Sequence, residues 1–505
     1  MKKLYFFVFC FLFSELLYSQ INLTDKIALS GSLQTDILLP REDASINAAK
    51  DHWIQSNTYL NVSLQSKYIT AGTRFEYMKH PLPGFEADFA GYGISNVYIT
   101  GIYKNTRLTI GDFYDQFGNG LIFRTYEERS LGIDNSLRGA RFVYQPFKGA
   151  NIKLLGGRQR RYFEWNDSFV WGGDMELNIS EWSKKMQESA TYLTLGTSFV
   201  SKHEKEEDIL VGLDKKLNLP ENIGAFAGRL KLQKGNYSFT TEYAWKANDP
   251  SFDNGYIYKN GSALLLSGSY SKSGMSVLLQ AKRSENMAFK SKRSVTGTSL
   301  FINHLPAFTN LQTYALTTIY PYATQIAGGE WAFQGELGYL FKRKTTLGGK
   351  YGTKVKLNFS HIRSIDKEPV EANQGVAAAD AFKGTNGYTS AFFKLGNELY
   401  YQDITWNIDK RATRDFSFNL LYTNLFHNQF VVEGHGDAVR ANIFVGEGKY
   451  QISKKASLRS ELQYLQTRDD LGDWMAALVE LSVAPNFSFS VSDMYNSGET
   501  NIHYY

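Results

Sequence analysis

The stretch TYLNVSLQSKYITAGTRFEY, residues 58–77, carries the pattern that decides the fold. Thr58, Leu60, Val62 and Leu64 alternate with Tyr59, Asn61, Ser63 and Gln65. Past a turn at Lys67, Ile69, Ala71, Phe75 and Tyr77 oppose Tyr68, Thr70, Arg74 and Glu76. Successive side chains of a strand point to opposite faces, so each half of this stretch reads as a strand with one apolar and one polar face.

The pattern continues outward in both directions. Asn236–Lys246 sets Tyr237, Phe239, Tyr243 and Trp245 against Ser238, Thr240, Glu242 and Lys246, and Asp415, Ser417 and Asn419 alternate with Phe416, Phe418, Leu420 and Tyr422. Such segments run for roughly nine to twelve residues, the length of a tilted strand crossing a hydrocarbon layer. Candidate strands begin near residues 27, 57, 68, 94, 105, 138, 150, 169, 190, 223, 236, 261, 274, 328, 352, 397, 413, 437, 455, 472, 485 and 500. A soluble sandwich would alternate too, but with strands that usually run shorter.

Connection lengths supply an independent test. Tight turns at Lys67, Lys104, Phe147–Gly149, Lys234–Gly235, Lys272–Ser273 and Lys410–Ala412 interleave with longer segments such as Met78–Gly93, Phe113–Leu137, Ser201–Asn222, Ser284–Ala327 and Ser364–Gly396. Short turns on one side and long loops on the other characterise outer-membrane barrels, and set both chain ends on the short-turn, periplasmic side. Ile179–Ser189 is long for such a turn. The expected fold class is therefore all-β: a transmembrane antiparallel β-barrel of even strand number, about 22 within a range of 18–24, with an inward-folded loop around 113–137.

Composition agrees. Aromatic residues make up 15% of the 505, with 32 Tyr and 35 Phe against only 10 Pro, which suits long strands bearing aromatic girdles. A mean hydropathy of −0.33 argues against membrane-spanning helices and is neutral toward a barrel with a polar lumen. The net charge of +5 is too mild for a nucleic-acid partner. Lys2 and Lys3 followed by apolar Leu4–Phe13 and small Ser19 read as a secretory signal over residues 1–19, leaving a single barrel domain over 20–505. Cys10 is the one cysteine and falls inside that signal, so disulfide partners are not expected. The chain closes on His503-Tyr504-Tyr505, a terminal aromatic of the kind that ends barrel strands. Energy-coupled uptake is not expected, because no plug domain or energy-coupling box is recognisable before the first strand.

The densest polar stretch is Asn105–Tyr144. It gathers Asp112, Asp115, Glu127, Glu128, Arg129, Asp134, Arg138 and Arg141 among Gly111, Gly118, Gly120, Gly132 and Gly139, with apolar anchors at Leu121–Phe123 and Leu131. Glycines permit bends and close packing. Placed between an outward and a returning strand, the stretch reads as a loop folded into the lumen. Its charges would pair with one another and with inward-facing Arg74 and Glu76, and these ten residues are the candidates for a lumen constriction. The run GDFYDQFGNGLIFRTYEERSLGIDNSLRGARF, with Gly31-Ser32-Leu33-Gln34-Thr35-Asp36 and Pro81-Leu82-Pro83-Gly84-Phe85-Glu86, resembles an uncharacterised outer-membrane family of Bacteroidota known as a domain of unknown function. The resemblance covers the mature chain and is sharpest over Gly31–Gly157. It implies an outer-membrane setting and brings no activity or site residues.

Other features have plainer readings. Trp165 and Trp171 would suit a sugar-stacking platform, but read better as an interfacial girdle, as do Trp182, Trp245, Trp331, Trp406 and Trp474. His427 and His435 with Glu433 and Asp437 have metal-binding chemistry but wide spacing. No metal or other cofactor is expected. No nucleophile elbow, Walker A or dinucleotide motif occurs, and the protein is not expected to be an enzyme. Residues 284–327 carry apolar Leu300-Phe301-Ile302, Leu305-Pro306 and Tyr320-Pro321-Tyr322, and should pack over the barrel mouth or dock a partner.

Three functions remain. The first is a porin-like channel constricted or plugged by its own loop. The second is a non-conducting structural or accessory subunit of an outer-membrane secretion or assembly complex, and the third is a barrel hydrolase. The expected partners are outer-membrane lipid and other outer-membrane or periplasmic proteins.

Overall fold

A computed structural model describes residues 20–504 apart from 25–26, 41, 43–52 and 213–214. The signal read at residues 1–19 and the terminal Tyr505 lie outside the described residues. The wall is one 23-stranded sheet. Its 22 strands from Ile27–Leu38 to His503–Tyr504 match the expected number, and the five-residue Gln20–Thr24 pairs with Ile27–Leu38 as an extra member at the N-terminal edge. Each strand pairs antiparallel with the next in sequence. Ile27–Leu38, for example, runs against Gln55–Ser66 from Ile27↔Ser66 to Leu38↔Gln55 without a break. Among the described residues no pairing joins the first strand to the last.

The faces are sorted as a barrel requires and a sandwich would not. Outward positions are apolar and exposed, among them Ile99, Ile110, Leu279, Phe444 and Leu462. Inward positions are polar or small and mostly covered, as at Asn61 opposite Arg74 and Tyr59 opposite Glu76. Leaving apolar side chains outside and burying charge is favourable only when lipid meets the outer face. Trp171, Phe199, Phe226 and Trp245 form an aromatic rung across four adjacent strands, with ring centroids 5.2, 4.7 and 6.3 Å apart. The girdle reading departs from the structure at Trp331 and Trp474, which are buried. Trp474 lies in the internal apolar cluster.

Turns on one side are short, such as 104–105 and 273–274, while 179–190 and 342–352 are longer. Ile179–Trp182 and Lys184–Glu188 fill the first of these with a 3-10 turn and a short helix, capped by Ser183. The opposite side carries the long segments 114–136, 204–221, 286–329 and 366–394. Two of these, 114–136 and 286–329, turn inward and cover the inner face of the long-loop half. Toward the short-turn side the inner face carries partly exposed ion pairs, Lys356–Glu336 at 2.6 Å and Arg459–Glu480 at 3.3 Å.

Candidate functional site

The strand Thr106–Phe113 stays paired with Leu137–Tyr144 as far as Phe113, but ends its pairing with Gly91–Tyr103 at Gly111, whose φ of +106° is open to glycine alone. A Cβ there would sit 2.2 Å from the Val97 carbonyl oxygen. The next residue, Asp112, accepts the Val97 N–H at 2.7 Å in place of a ladder carbonyl. The chain then turns inward. Phe117 N–H donates to Phe123 O at 3.0 Å and Gly120 N–H to Phe117 O at 2.9 Å, closing a tight loop whose Phe117, Leu121, Ile122 and Phe123 are fully buried.

The second inward segment is knitted onto this loop. Arg124 N–H donates to Ile302 O at 2.8 Å, His304 N–H to Gly120 O at 3.0 Å, and Ile302 N–H to Phe289 O at 2.8 Å. The Asn303 amide donates to Leu121 O and Met287 O. Phe117, Leu121, Phe123, Met287, Phe289, Ile302 and Leu305 share one apolar core, which extends onto small inward residues of the wall, Ala225, Ala244 and Ala332. Burial of each large apolar side chain contributes roughly 1.5–3 kcal/mol, so the two loops hold each other through apolar packing. The apolar character of 284–327 is thereby accounted for by packing within the barrel.

Of the ten charged residues singled out from the sequence, five converge. Arg74 pairs with Glu76 at 2.8 Å, with Glu127 at 2.6 Å, and with Asp134. Arg129 pairs with Glu127 at 2.7 Å, stacks over the Tyr59 ring at 4.3 Å and donates to Gln34. The sixth member is Arg160, absent from the sequence-based set, which bonds Glu76 at 2.7 Å and Asp134 at 2.5 Å. Three guanidiniums thus face three carboxylates, a neutral set that ties the 114–136 loop to the wall. Tyr114 donates its hydroxyl to Asp134 at 2.9 Å, and burial, reinforced by the Asp134 charge, pushes that hydroxyl far above its ordinary range.

The other five separate. Asp115 is held by Arg141 and by Lys153, the latter at 2.8 Å and also missed from sequence. Arg138 makes a bidentate pair with Asp112 at 2.9 and 2.7 Å. This last pair differs from the lumen reading. Asp112 and Arg138 neighbour Phe113 and Leu137, whose side chains enter the internal core, so alternation turns the pair away from the lumen. Arg138 instead stacks over Trp165 at 3.4 Å, so Trp165 serves the wall pair rather than a free girdle. Glu128 also stands apart, exposed and accepting from Ser130, where it caps a 3-10 turn.

A second charged layer, unforeseen from sequence, lies beneath the 286–329 segment. Lys202 meets Glu204 at 2.9 Å and Asp249 at 3.0 Å, and Lys282 meets Glu330 at 2.8 Å. Lys290, on the segment itself, meets Asp253 at 3.0 Å; burial lowers its pKa and Asp253 partly offsets this. Glu242 accepts the backbone and side-chain N–H groups of Asn119, at 2.8 and 2.6 Å. The sequence signal that could have found this layer is a charge at the long-loop end of an inward-facing row, as at Lys202 and Lys246. His304 is pushed down to about 4, first by burial and then by the Arg124 and Lys282 charges, and stays neutral within the core. Glu433 bridges His427 at 2.9 Å and His435 at 3.5 Å. Among the described residues no group of three or more His, Cys, Asp or Glu is placed to hold a metal.

A single antiparallel meander, an apolar outer band and an inward-folded loop define the class of transmembrane β-barrels. The chain belongs to a family of unknown function (DUF6029), whose profile matches residues 1–505. No curated protein matches it. Solved structures with similarity to it include a mutant of the ferric enterobactin receptor PfeA from Pseudomonas aeruginosa (10% identity, 95% of this chain and 72% of that one, TM-score 0.44). Others are OccK5 (OpdH) from Pseudomonas aeruginosa (9%, 92% and 98%, 0.33) and OccAB3 from Acinetobacter baumannii (10%, 92% and 98%, 0.37).

Proposed function

We propose that this chain is a non-enzymatic, porin-like barrel of a bacterial outer membrane, stopped at rest by its own two inward loops. The bacterial group would be the Bacteroidota, as the sequence resemblance implies, and residues 1–19 would be the export signal. The observation that carries the reading is the apolar core shared by 114–136 and 286–329 on the inner face. Apolar packing excludes water from that half, while the partly exposed ion pairs of the other half suit a hydrated vestibule. Passage then depends on displacement of the loops. Arg74, Glu76, Glu127, Arg129, Asp134 and Arg160 act as the ties at the constriction, and Asp115 with Arg141 and Lys153 as a second tie on the vestibule side.

Planar-bilayer recording tests this. The purified wild type should be silent or open briefly, and deletion of 116–136 should give sustained conductance. A barrel that stays silent after that deletion, and after further removal of 288–327, refutes the porin-like reading. One feature favours the second function, a non-conducting subunit: the filling is a built apolar core rather than a thin constriction. Stoichiometric partners on purification from the native membrane, together with silence in bilayers, would establish that alternative.

A further inference from the structure

The two rims carry opposite charge. Between strands on the short-turn side lie 13 Lys or Arg against four acids, Asp25, Glu181, Glu188 and Asp415. The segments between strands on the long-loop side carry 16 basic residues against 27 acidic ones. Lys234, Lys272 and Arg411, at strand ends, extend the basic rim, so that every short-side turn except 484–486 presents a cation. Among the described residues only Lys148 of this rim is ion-paired, with Glu181 at 2.6 Å. Five rim cations lie over rim tyrosines. Lys67 lies over Tyr68 at 5.2 Å, Lys104 over Tyr103 at 5.2 Å, Lys272 over Tyr270 at 6.0 Å, Lys350 over Tyr351 at 5.5 Å, and Arg411 over Tyr351 at 5.3 Å.

We infer that the short-turn rim is a collar that binds the phosphate headgroups of anionic phospholipids in the leaflet it crosses. The inference rests on the membrane-barrel reading above. Two observations select lipid over an acidic protein. The cations are spread around the circumference, as a surrounding leaflet requires, where a docked protein would need one sector. They also sit beside the tyrosines that end the apolar band, at headgroup level, where long basic side chains reach from hydrocarbon into the polar layer. Unpaired cations at that depth attract anionic headgroups within a Debye length.

The test uses the full chain in vesicles containing trace spin-labelled phosphatidylglycerol or phosphatidylcholine, and measures the motionally restricted fraction of each. The wild type should favour phosphatidylglycerol about three- to five-fold, and the preference should vanish in 1 M salt, where screening falls to about 3 Å. Two charge-reversed variants on opposite arcs, K342E/R343E/K344E and K67E/K104E/K148E, should each lower it. A gel shift on heating reports that each barrel is folded. Equal restriction of the two lipids by the folded wild type overturns the collar and leaves the barrel standing. Loss confined to the 342–344 variant also overturns it, in favour of a local site for an acidic partner. Restriction of neither lipid would instead remove the membrane reading beneath it.

Discussion

Replacing Asp134 by Asn should release the 114–136 loop without unfolding the barrel. The carboxylate stands where Arg74, Arg160 and the Tyr114 hydroxyl meet, and the side chains of Arg160 and Asp134 are only 1% and 8% exposed. Asn keeps the shape but removes the charge. Three guanidiniums then face two carboxylates in a site that water hardly reaches. Removing one partner of a buried ion pair costs about 3–5 kcal/mol, because the remaining charge stays desolvated and uncompensated. A change of about 3 kcal/mol shifts a docking equilibrium by roughly 10²-fold. The wall should tolerate this, since its strand ladder does not pass through Asp134. Limited trypsinolysis measures the effect through cleavage after Arg124 and Arg129, with the heat-dependent gel shift reporting the barrel. E128Q is the control, because Glu128 is exposed and only caps a local turn. Cleavage of D134N no faster than that of E128Q would refute the tie.

The shared loop core predicts that I302A, at a residue 1% exposed, costs about 2–5 kcal/mol of loop docking; an unchanged cleavage rate would show that the two loops do not pack as one unit. His304 gives a pH dependence. Its folded pKa of about 4 lies below the ordinary 6.5, so the docked state binds fewer protons between those values. Docking should be fully stable above pH 6.5 and weaken as pH falls toward 4, by at most ~3 kcal/mol, and H304Q should flatten the profile measured by proteolysis. On the outer face, L462R replaces a side chain 70% exposed on the apolar band; it should cost roughly 2–4 kcal/mol in vesicles near the bilayer midplane, and no loss of folded yield would contradict a lipid-facing position.

The strand series was legible because its determinants are local. Alternation is written in adjacent residues, and each of the 22 expected starts falls within five residues of an observed strand, the largest offset being at Glu164. Charge density likewise pointed to the inward loop, since acids and arginines crowded between two strands have few other places to go. The pairings were not legible. Arg160 meets Glu76 across 84 positions and Arg74 meets Asp134 across 60, so nothing near either residue marks its partner. For the same reason Asp112 and Arg138 looked equal to their neighbours. Their removal from the lumen follows only from the register that sends Phe113 and Leu137 into the core. The apolar run at 300–322 could serve a mouth cover or a partner, and its fit between Phe117 and the small wall residues decides for packing inside.

By itself, then, the sequence determined the barrel class, the strand number, the sides of the short turns and the loop that turns inward. Each depends on the period of neighbouring side chains and on segment length. The tertiary structure alone decided which charges neutralise one another, that a second loop completes the apolar core, and that one pair of candidates belongs to the wall. Those outcomes depend on which faces the curled sheet brings together, and the sheet joins residues that the chain keeps far apart.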